Sequence, residues 1–185
     1  MAARDMMPVP LIGETAPDFE LAEASERMMR LSDEVKRGPV IVVFYPTDWG
    51  MICTMMMKRF MDMLGELERI GVSIVAISVN TTTSHRSWKM HLDIEFPLLS
   101  DVDGAAVRRY GLMLGESEFL RGRSARAVFI VDRDMKVRYA WKGPNQAVHP
   151  EYEEILAAAK RLMRKQRSRE FYISSGPRCI LGVNK

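Results

Sequence analysis

With 185 residues, 47% of them hydrophobic, the chain is long enough to bury a core of its own, and its formal net charge of +3 is too small to argue for a nucleic-acid partner. Two cysteines far apart, Cys53 and Cys179, exclude a disulfide framework and lack metal-ligand spacing, so a reducing cytoplasm is expected. The segment Met1 to Gly13 mixes Arg4, Asp5 and prolines into its apolar residues, unlike a signal peptide, and no run approaches the length of a membrane span.

Taken in order, β-rich apolar runs alternate with helical patterns, which argues for an α/β sheet. Val40–Tyr45 is a continuous apolar run, as expected of a strand covered on both faces. Thr54–Ile70 places Met56, Phe60, Met63, Leu64, Leu67 and Ile70 at helical spacing and stops at Gly71, a C-terminal cap. Val72–Val79 is the next strand, and Ser84–Leu92 and Gly104–Tyr110 are helices. Ala127–Val131 pairs through the turn Asp132 to Met135 with Val137–Trp141. Pro150 precedes a helix over Glu151–Met163, whose acidic residues Glu151, Glu153 and Glu154 suit its first turn. The basic run Lys160, Arg161, Arg164, Lys165, Arg167 and Arg169 reads as a solvated helix end. Residues 1–165 form one domain, and 166–185, which carry Cys179, form an extension.

The most informative stretch is Val40 to Cys53, where a buried strand runs into a short loop that delivers a cysteine to the start of a helix. The first helical turn leaves backbone N–H groups unpaired, and their partial positive charge favours a thiolate over a thiol. The alternative is that Cys53 is a small buried apolar residue, a common fate of a free cysteine. Strand, loop and helix alone leave both readings open.

Seven separated motifs decide in favour of chemistry. Gly13-Glu14-Thr15-Ala16-Pro17-Asp18-Phe19, then Phe44-Tyr45-Pro46 with Cys53 seven residues beyond the proline, Ile77-Ser78-Val79-Asn80, Ser84-His85, Trp88, Phe96 to Asp101 and Arg126 to Asp132 follow one another in this order. Over roughly Val9 to Met163 the chain resembles a peroxiredoxin. The resemblance implies a thioredoxin-like α/β fold, with a central mixed sheet flanked by helices, and a cysteine-based peroxidase with no metal or organic cofactor. It implies that Cys53 attacks the peroxide O–O bond to give a sulfenic acid, that Arg126 holds thiolate and peroxide, and that Pro46 shapes the loop and shields the sulfur. Without it, Arg126 would read as a surface residue leading into a strand and Pro46 as a strand terminator.

Two departures from the family pattern bear on activity. Gly50 stands where the family has a threonine whose hydroxyl bonds the peroxide; its backbone N–H remains as a substrate contact, and Thr47 and Thr54 are candidate hydroxyl sources. Met56 stands where many members carry an acid that orients the arginine, so Arg126 is expected to be less firmly placed. Methionines crowd this region: Met51, Met55, Met56, Met57, Met61 and Met63 are either adaptable core filling or, where they face outward, a subunit interface.

By the same resemblance, Cys179 is the candidate resolving cysteine, with a spare terminal cysteine as the alternative. The implied partners are a peroxide, a thioredoxin- or glutaredoxin-like reductant and further copies of the chain as a homodimer or larger homo-oligomer, with no membrane or nucleic acid. A catalytically weakened interaction or holdase protein on the same fold is the competing expectation. A thiol–disulfide exchange protein lacks its Cys-x-x-Cys pair. His85, His91 and His149 are too scattered to ligate a metal.

Overall fold

A computed structural model describes the backbone of residues 7–174 and side chains through residue 166. The elements run β1 (Glu20–Glu23), β2 (Met28–Arg30), α1 (Leu31–Glu34), β3 (Val40–Phe44), α2 (Met51–Arg69), β4 (Ser73–Ser78), α3 (Thr82–Leu92), β5 (Leu98–Ser100), α4 (Ala105–Arg109), β6 (Ala127–Val131), β7 (Val137–Lys142) and α5 (Tyr152–Ser174). The strands form one mixed sheet in the order β2-β1-β5-β4-β3-β6-β7. β3, β4 and β5 are parallel, whereas β6 and β7 on one side and β1 and β2 on the other run antiparallel.

The continuous apolar run of β3 follows from its place in the middle of this sheet. Ile41 and Val43, with Tyr45 beyond the strand, pack into a core under α2, α3 and α5; Val40, Val42 and Phe44 pack into a second core with Phe19, Val107 and Tyr110. Successive strand residues point to opposite faces, so a strand covered twice has no face left for polar side chains.

The strands and helices predicted from periodicity are all present, with ends shifted by a few residues. α2 starts at Met51 rather than Thr54, which puts Cys53 inside its first turn. It ends with Gly71 at φ +78°, where the Val72 N–H donates to the Leu67 carbonyl at 3.0 Å and the Gly71 N–H to Glu68 at 2.9 Å. That glycine closure is the stop expected at this position. α5 continues beyond Met163 to Ser174, because nothing in the basic run breaks a helix. The expectations missed β1, β2, α1 and β5. These pieces are three or four residues long and too short to show a period; β5 is held between β1 and β4, partners remote in sequence.

Because β3 and β4 are parallel, α2 must cross between them, and its N-terminus stands at the carboxyl end of β3. The loop from Tyr45 to Gly50 makes that connection.

Candidate active site

Gly50 is the N-cap of α2, with an extended backbone and no capping side chain; its carbonyl accepts the first intrahelical bond from Thr54 N–H at 2.8 Å. Cys53 lies in the first turn and is 3% exposed. Its Sγ is 3.6 Å from Nη2 of Arg126, which comes from the residue just before β6 and is 1% exposed. Two segments 73 residues apart in sequence thus bring a permanently charged guanidinium to the sulfur. Pro46, two residues beyond the end of β3, is buried.

Arg126 is held on several sides. Its Nη1 donates to Met56 Sδ at 3.0 Å, its Nη2 to the Gln146 carbonyl at 3.0 Å, and its backbone N–H to Gln146 Oε1 at 3.0 Å. Met56, which stands where an acid was expected to be missed, itself contacts the guanidinium. A thioether sulfur is a weak but real acceptor, and at this spacing on α2 it reaches the same guanidinium as Cys53. Among the described residues no carboxylate lies within ion-pair distance of Arg126, and its Nε has no partner. His149 is held below the ordinary histidine range, chiefly by burial and secondarily by the Arg126 charge. Its Nδ1 lies 2.8 Å from the Tyr152 hydroxyl, which burial pushes up to about 12.

The missing threonine hydroxyl is not replaced by Thr47. The Thr47 Oγ1 donates to the Asp48 carbonyl at 3.2 Å, while its methyl faces Gly50. A Cβ on Gly50 would meet Cys53 Sγ and Thr47 Cγ2, each at 3.5 Å, which is ordinary contact. A Cβ is therefore tolerated at this position without displacement of its neighbours.

The other side of the loop is a polar network that sequence reasoning did not assemble. Asp48, 4% exposed, accepts from the Tyr45 hydroxyl at 2.8 Å and the Ser84 hydroxyl at 2.6 Å, and its Oδ2 lies 3.0 Å from His85 Nδ1. His85 Nε2 is 3.2 Å from the Leu99 carbonyl oxygen, so both ring nitrogens lie against oxygen atoms. The Asp48 N–H donates to Asn80 Oδ1 at 3.3 Å. Burial, with the Asp48 charge second, pushes the Tyr45 phenol well above its ordinary range. The adjoining Trp49 sits at φ +61°, a left-handed conformation that a bulky residue keeps only when its surroundings hold it. The motif residues Asn80, Ser84 and His85 were visible in the sequence, but their common partner lies more than thirty positions earlier. Gln146 had no sequence signal.

The methionines divide. Met56 and Met57 are fully buried and Met63 nearly so, while Met51 and Met55 are exposed, as are Trp49 and Met90. Cys179 lies outside the described residues. Among the described residues, no helix is long and apolar enough to cross a membrane.

Fold and site together define a thioredoxin-like α/β protein with a buried cysteine in a helix's first turn and an arginine against its sulfur. Residues 12–140 match the AhpC/TSA family model, and the chain belongs to that family, the peroxiredoxin relationship its motifs implied. Alkyl hydroperoxide reductase E of Mycobacterium bovis is 32% identical over 131 residues, covering 70% of this chain and 83% of that protein. The chloroplastic 2-Cys peroxiredoxin BAS1 of Spinacia oleracea is 28% identical over 142 residues, covering 71% of this chain and 52% of that protein. The chain thus matches only about half the length of that relative. The crystal structure of peroxidoxin BcpB from Mycobacterium tuberculosis superposes with a TM-score of 0.74 at 27% identity, covering 83% of this chain and 98% of that one.

Proposed function

We propose that this protein is a thiol-dependent peroxidase that reduces hydrogen peroxide or small organic hydroperoxides in antioxidant defence, with Cys53 as nucleophile. The observation that carries this is the 3.6 Å approach of a buried Arg126 guanidinium to the Cys53 sulfur in the first turn of α2. Arginine charge and free helix N–H groups both favour the thiolate, the nucleophilic form. Its attack forms an S–O bond and breaks the O–O bond, and the departing hydroxide or alkoxide takes a proton from solvent water to leave as water or alcohol. The sulfur becomes a sulfenic acid. Arg126 stabilises the charge that develops on the leaving oxygen, and the Gly50 N–H is a donor available near the helix start.

A thiol must then reduce the sulfenic acid, supplied either by Cys179 as resolving residue or directly by a thioredoxin- or glutaredoxin-like protein in a reducing cytoplasm. The exposed Trp49, Met51 and Met55 near the start of α2 support assembly as a homodimer or larger homo-oligomer. The glycine at position 50 favours a second reading, a weakened site on a fold kept for interaction or holdase work. The rate of Cys53 oxidation by hydrogen peroxide in a Cys179→Ser variant separates the two. A rate orders of magnitude above that of a free small thiol is expected; a rate near it would leave only the second reading.

A further inference from the structure

Two sulfurs share one guanidinium in this site. Cys53 and Met56 are three residues apart on α2 and lie on one face of it. Arg126 sends Nη1 to the Met56 Sδ at 3.0 Å and Nη2 to the Cys53 Sγ at 3.6 Å. Met56 is fully buried and Arg126 1% exposed, so neither contact is shared with bulk water. The remaining partner of the side chain is the neutral Gln146 carbonyl, and Nε has none. A buried cation is ordinarily matched by an anion. Here, among the described residues, the one group on the guanidinium that can become an anion is Cys53 itself.

We propose that Met56 is the positioning residue of Arg126, its thioether fixing the guanidinium on the Cys53 sulfur without neutralising it. This rests on the reading of Cys53 as the reacting thiol. A carboxylate at the same place would hold the arginine as well and would cancel part of the field that the sulfur and the leaving oxygen feel. An aliphatic side chain of equal size would leave the field and lose the hold. A soft, uncharged acceptor does both jobs, and methionine is the one apolar side chain that supplies it.

The test compares Met56→Leu, Met56→Gln and Met56→Glu in the full chain. Cys53 is followed by peptide mass spectrometry through its alkylation by iodoacetamide across pH and its oxidation by hydrogen peroxide. Met56→Leu conserves volume and is expected to fold, yet to lose at least roughly tenfold in oxidation rate because the guanidinium is no longer oriented. Met56→Gln, a neutral acceptor, is expected to restore most of that loss. Met56→Glu is expected to move the midpoint of the alkylation profile to higher pH than in Met56→Gln, because its charge disfavours the thiolate. If Met56 merely fills the core, leucine will match the wild type and both polar variants will be equally poor; that pattern overturns the proposal. Coincident alkylation profiles for the glutamine and glutamate variants overturn it as well. Alkylation needs no peroxide, so a wild type that reacts with peroxide no faster than a free thiol would defeat the peroxidase reading and still leave the alkylation order to be read.

Discussion

On one side of the loop from Tyr45 to Gly50, Asp48 is bonded by Tyr45, Ser84 and His85, and His85 in turn reaches the Leu99 carbonyl. On the other side, Arg126 faces two sulfurs and a carbonyl oxygen, with Nε unpaired and no carboxylate within ion-pair distance among the described residues. Both clusters are buried and both carry charge, so burial is not what separates them. The difference is completeness. A satisfied polar network in a low-dielectric interior holds one geometry, whereas an under-matched charge leaves its field available to whatever enters. The Asp48 cluster fixes the loop, Trp49 in its left-handed conformation included, and the Arg126 cluster is left incomplete where the reaction is proposed to occur.

Breaking the complete side has the larger cost. Asp48→Ala removes the buried acceptor shared by Tyr45, Ser84 and His85 and is expected to lower stability by about 3–5 kcal/mol, read from urea denaturation. A loss below about 1 kcal/mol would show that the network does not hold the loop. Breaking the incomplete side costs reactivity instead. In Arg126→Gln, oxidation of Cys53 by hydrogen peroxide is expected to slow by about 10²–10³-fold, measured by rapid mixing, with a far smaller change in melting temperature than Asp48→Ala gives.

Filling the incomplete side should sharpen the contrast. A Cβ at position 50 makes only ordinary contacts with Cys53 and Thr47, and the hydroxyl of Gly50→Thr adds a donor at the helix start; peroxide oxidation is expected to accelerate by roughly tenfold. Stability should stay within a few tenths of a kcal/mol, since glycine and threonine are near-equal N-caps. An unchanged rate would mean that the added hydroxyl does not reach the peroxide.

The smallest expected effect is in the titration of His149. Burial and the Arg126 charge hold its folded-state value below that of the unfolded chain, so the unfolded chain takes up more protons as pH falls. The stability associated with neutral His149 is therefore present above the ordinary histidine value of about 6.5 and lost as pH drops through and below it. Thermal melts of His149→Asn should show a shallower decline over that window. In Arg126→Gln, the His149 resonance should titrate at higher pH, by only part of the shift, because burial is the larger cause.

Periodicity made the long elements legible. β3, β4, β6 and β7, and helices α2, α3 and α5, each carry enough apolar residues at one spacing to declare themselves, and Gly71 marks the end of α2 because its left-handed backbone needs a glycine. The reactive pair was legible only through motifs: Cys53 by its place after a buried strand, Arg126 by resemblance alone. Met56 is in the core as its residue type announces, but that type says nothing of the contact its sulfur makes with Arg126.

The sequence by itself determined the sheet's buried centre, the helix that starts at the candidate nucleophile and the family, since these rest on local periodicity and on motifs in fixed order. Only the tertiary structure decided that Arg126 meets Cys53 and Met56 across 73 and 70 residues, that Asp48 is the partner of His85, and that a Cβ at position 50 would make only ordinary contacts. The physical reason is range. Helix and strand preferences act over a few residues, whereas hydrogen bonds and charge contacts depend on distances that exist only once the sheet has brought remote segments together.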